Sequence, residues 1–84
     1  MAKHENVLLK ILRGTADANI AFADLCGLLR HLGFTERTRG SHHIFTRAGI
    51  EERITLQRDR KNAKVYQVRQ VRAIILKHKL GEEH

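Results

Sequence analysis

The feature that most constrains the fold is a change of hydrophobic period at Gly33. Before it, Phe22, Leu25, Cys26, Leu28, Leu29 and Leu32 recur at helical spacing. Their broad apolar stripe predicts a helix over about residues 23–32, with Asp24 in its first turn and Gly33 as its stop. After Gly33 the repeat shortens to two and Thr becomes frequent. Strands are predicted over 34–39, 42–47 and 53–57, separated by turns at Gly40-Ser41 and at residues 48–51. In the third, Ile54 and Leu56 point one way and Arg53, Thr55 and Gln57 the other. A basic loop follows at 58–64. Helical period then returns with Val68, Val71, Ile74, Ile75 and Leu80, predicting a helix over about 67–79 closed by Gly81.

Short turns between successive strands imply an antiparallel meander. Helices before and after such a sheet cover one of its faces. The expected class is α+β, a two-layer sandwich in which a three-stranded antiparallel sheet carries helices on one face. The other face stays open. An additional helix is predicted at 5–12, where Val7, Leu8, Ile11 and Leu12 share a side and Gly14 follows. Residues 14–19 are small and polar, a connector.

With 84 residues, the chain holds one thin core and no deep enclosed pocket. Its charge is uneven. Sixteen Lys and Arg oppose nine Asp and Glu, a net of +7. Residues 37–79 hold twelve basic and three acidic residues, a net of +9, and the remainder is −2. Such a surface favours nucleic acid, an anionic membrane surface or an acidic protein. The apolar run Val7–Leu12 is too short and interrupted for a signal peptide or a membrane span. A lone cysteine, Cys26, makes no internal disulfide and fits a reducing, cytoplasmic setting. Among Leu25, Leu28 and Leu29 it reads as core packing. Tyr66 is expected to pack at the start of the last helix, with stacking on a nucleic-acid base as the alternative.

Chemistry concentrates in Gly40-Ser41-His42-His43-Ile44-Phe45, with Arg37 and Arg39 before it and Arg47 after. Histidine exchanges protons near neutral pH. Strand alternation separates the pair: His42 goes with Ile44 and His43 with Phe45. Phe45 is the larger apolar residue and suits the core, which leaves His42 on the open, cationic face; Ile44 is apolar too, and the opposite assignment is the alternative. Two adjacent strand histidines do not both reach one ion, and no spaced ligand set is evident, so neither metal nor cofactor is expected. A histidine among cations can serve RNA cleavage as general base on a 2′-hydroxyl, with Arg or Lys stabilising the transition state. Spacing alone favours a surface or hydrogen-bonding histidine without chemistry.

The chain resembles the HicA toxins of bacterial and archaeal toxin–antitoxin systems. The resemblance rests on Phe22-Ala23-Asp24-Leu25-Cys26, Leu29 to Gly33-Phe34, Arg39 to Phe45, and the closing stretch Gln67 to Leu76. It implies a fold like a double-stranded-RNA-binding domain over residues 20–84, with residues 1–19 as a helical extension. It also implies a metal-independent endoribonuclease acting on mRNA and silenced by a HicB-type antitoxin. The catalytic position falls on His42, with His43 as second candidate. RNA contacts are expected from Arg39, Gly40, Ser41, Arg47, Arg58, Arg60, Lys61 and Lys64. A non-catalytic RNA-binding module of the same fold is the alternative.

Overall fold

The computed structural model describes residues 3–58 and 60–81; positions 1, 2, 59 and 82–84 lie outside the described residues. The order is α1 (Lys3–Arg13), a 3₁₀ turn (Asp17–Asn19), α2 (Phe22–His31), β1 (Thr35–Arg39), β2 (His42–Arg47), β3 (Ile50–Gln57) and α3 (Val65–His78). The strands form one antiparallel sheet in the order β1-β2-β3. This is the expected α+β architecture, and the additional N-terminal helix is present.

Gly33 ends α2 by taking a left-handed φ of 94°. The Phe34 amide donates to Leu29 O at 3.0 Å, which satisfies a terminal carbonyl and turns the chain into β1. At Gly40 a φ of 57° lets a two-residue turn join β1 to β2. β3 starts three residues earlier than its period implies. A bulge between Phe45 and Arg47 allows Arg47 to pair with Ile50, so the second turn tightens and Glu51 and Glu52 join the strand.

The sheet has one covered face. Phe45, Ile54 and Leu56 are fully buried there, against Leu25 and Leu29 of α2 and Val68, Val71 and Ile75 of α3. α1 adds Val7 and Ile11 to the same core. It is tied further by Arg72, which donates to Ile11 O at 3.1 Å and grips Asp17 through two bonds of 2.8 and 3.1 Å. Thus the 14–19 connector carries a 3₁₀ turn and a cross-chain anchor that its composition did not signal. Tyr66 does not pack: it is 59% exposed, one position away from the buried pair Gln67 and Val68. Among the described residues, no helix is long and apolar enough to cross a membrane.

Glu52 joins β3 to the end of α3, accepting from Lys77 at 2.8 Å and meeting His78 Nε2 at 2.9 Å. The Lys77 bond, then the His78 bond, hold its carboxyl down at about 2. A depressed carboxyl contributes stability that is present above its unfolded value of about 4.3 and lost as pH falls through the folded value. The urea midpoint is therefore expected to fall between about pH 4.5 and pH 2. Glu52→Gln should flatten that part of the curve; an unchanged slope would show that this pair contributes nothing.

Candidate active site and basic surface

β2 is the central strand, so its two faces have different fates. His42 is exposed on the uncovered face, in register with Arg39 of β1 and Gln57 of β3. The next pair along the same face is Arg37 and Ile44. His43 points to the helix side with Phe45 and is only 17% exposed at its side chain. Its Nδ1 lies 2.6 Å from Glu36 Oε2, and its ring stands edge-on to Phe22 at 5.2 Å. The other Glu36 oxygen accepts from Arg30. The hydrogen bond from His43, opposed by burial and assisted by Arg30, holds the Glu36 carboxyl below its usual range.

Beside His43 is an open cleft of about 380 Å³ between the start of α2 and the loop after β3. Phe22, Cys26, Arg30, Glu36, Arg58, Arg60 and Lys61 are among the residues that line it. Cys26 is buried, as its neighbours in sequence imply. Burial, reinforced by the Glu36 charge, pushes its thiol up to about 11, so it is protonated and unreactive at neutral pH.

The 58–64 loop is pinned at both ends. The Arg58 amide donates to Ser41 O at 2.9 Å. Further on, the Phe22 amide donates to Lys61 O and the Ala63 amide to Ile20 O, both at 2.8 Å. The first bond sets Arg58 beside the Gly40-Ser41 turn that precedes His42, and the others hold the rest of the loop against the start of α2, so that Arg58, Arg60 and Lys61 line the cleft beside His43. Two expected RNA contacts fall elsewhere. Arg47 is at the far end of β2, its guanidinium against Gly33. Lys64 opens α3, half-buried, with its amide bonded to Gln67 Oε1 at 3.2 Å.

Glu36 and Arg30 were missed by sequence reasoning. The signal was available in the alternation: a strand residue paired with Phe45 must share its inward face. A carboxylate in that position requires a cation or donor nearby.

Compared with protein families, residues 22–79 match the HicA toxin of bacterial toxin–antitoxin systems. The match spans more than half of the chain and includes the hairpin, the basic loop and every cleft residue except Ala21. The chain belongs to the HicA toxin family. No curated protein and no solved structure matched in the corresponding comparisons. As a HicA toxin, the chain is the toxin of a toxin–antitoxin system, a role that implies an antitoxin partner. The match to the HicA family begins at Phe22, so α1 precedes it.

Proposed function

We propose that this HicA toxin cleaves mRNA without a metal, using His42 as general acid/base, and that a HicB-type antitoxin neutralises it. The observation that carries this reading is the division of the histidine pair. His42 is exposed on the open sheet face beside Arg39, whereas His43 is bound to Glu36 beneath it. His42 offers its whole ring to a bound RNA strand, whereas His43 meets solvent only through the cleft beside it and is held by Glu36.

In the proposed reaction His42 removes the proton from a ribose 2′-hydroxyl. The freed oxygen attacks the adjacent phosphorus. The 5′-oxygen of the next nucleotide leaves and takes up a proton, producing a 2′,3′-cyclic phosphate. Arg39 offsets the charge that accumulates on the phosphoryl oxygens. Space around Gly40 supports close approach: nothing lies within 4 Å of where a Cβ would sit. Arg58, Arg60 and Lys61 take flanking phosphates, whereas Arg47 and Lys64 lie away from this group. Sequence preference would be weak, because the described aromatic side chains on this surface are few and phosphate contacts carry no base information.

Incubation of purified protein with RNA in excess EDTA tests the proposal. Shorter fragments ending in cyclic phosphate are expected, and DNA of the same sequence should remain intact. Affinity should fall with salt by a log–log slope of about −0.7 per phosphate contact, near −3 for four contacts. Salt-sensitive binding with no fragments after prolonged incubation would instead identify a non-catalytic RNA-binding module. Co-expression with an acidic protein encoded beside it should suppress cleavage.

A further inference from the structure

We propose that Cys26, Glu36 and His43 form a zinc-binding site on the helix-covered side of the sheet. One ligand atom from each residue, a thiol sulfur, a carboxylate oxygen and a ring nitrogen, lies within 4.8 Å of the other two. Three elements supply them: α2, β1 and β2. No sequence spacing announces the set, because it exists only after the hairpin folds back under α2. The donors are those that zinc takes in mixed sites, and its tetrahedral shell tolerates one of each. Around tetrahedral zinc such atoms stand roughly 3.3–3.8 Å apart. To reach that spacing the 2.6 Å hydrogen bond between His43 and Glu36 must open, with both atoms turning to the metal.

The surroundings suit a site with three protein ligands. Cys26 is 4% exposed and Glu36 and His43 are half-buried, so one side is closed. The cleft opens on the other side, where water completes the tetrahedron. Charge is balanced only with both anions in place: a thiolate and a carboxylate neutralise the dication. Arg30, Arg58, Arg60 and Lys61 face the same cleft and oppose any ion held by fewer anions. Arg30 must share Glu36 with the metal. His42 is on the opposite face and takes no part in this site, whereas Arg58, Arg60 and Lys61 border both this cleft and the proposed RNA surface.

Zinc takes Cys26 as the thiolate and releases the thiol proton to solvent.

Titration of the full chain with Zn²⁺ against a chromogenic chelator, and separately with Co²⁺, tests the site. One equivalent should bind, with a thiolate-to-cobalt charge-transfer band in the near ultraviolet. Cys26→Ser should abolish the band, and Glu36→Gln should weaken binding about 10- to 100-fold. His42→Ala, His4→Ala and His31→Ala should bind as the parent does. Circular dichroism distinguishes lost ligation from lost folding in the ligand variants, and the cobalt band of the unmodified chain tests the thiolate without any variant. No uptake, or uptake without the charge-transfer band, would overturn the proposal.

Discussion

Phe45→Ala is expected to lower the unfolding free energy by about 3–5 kcal/mol. Phe45 is fully buried at the centre of the central strand, between Glu36 and Ile54 in register. Truncation removes its burial energy and leaves a cavity that two helices and a sheet cannot fully close. Domains of this size are stable by about 5–15 kcal/mol, so the variant should lie near the limit of folding. Urea unfolding followed by circular dichroism measures the effect. Ile44→Ala, on the open face and half-buried, should cost far less. The contrast bears directly on function, because Phe45 determines which histidine faces outward. A loss below about 1 kcal/mol at Phe45, with a larger loss at Ile44, would reverse the two faces.

His42→Ala carries the second large effect, a fall of about 10² to 10⁴ in the rate of RNA cleavage. That range is the usual contribution of one well-placed acid or base. His42 is exposed, and among the described residues none makes a hydrogen bond or ion pair with its side chain. Its removal should leave the unfolding midpoint and the salt dependence of RNA binding nearly unchanged, since Arg39, Arg58, Arg60 and Lys61 remain. His43→Gln should behave in the opposite way. It breaks the bond to Glu36 and the packing on Phe22, which weakens the fold while the cleavage rate of folded protein stays within about tenfold of the parent.

Much of this arrangement is legible in the sequence wherever a periodicity is long or a glycine marks its end. The stripe of α2, the stop at Gly33 and the alternation about Phe45 each follow from a local pattern. Val7 and Ile11 likewise sit where the α1 stripe places them. What the sequence does not display is pairing. Glu36 looks like one more polar strand residue until its register with Phe45 turns it inward, where His43 and Arg30 hold it. Arg72 and Asp17, 55 positions apart, meet only because α3 crosses the connector. The basic loop reads as one cationic run, yet its hydrogen bonds to Ser41 and to the start of α2 separate Arg58, Arg60 and Lys61 from Lys64. Tyr66 illustrates the limit of composition: aromatic character favours burial, but its position beside the buried stripe of α3 places it in solvent.

The most direct measurement is the single-turnover cleavage rate of one RNA in EDTA by the parent chain, His42→Ala and His43→Gln, each confirmed as folded. The account predicts cyclic-phosphate products from the parent and from His43→Gln, with His42→Ala slower by about 10² to 10⁴. Full activity in His42→Ala with none in folded His43→Gln would contradict it and move the chemistry beneath the sheet.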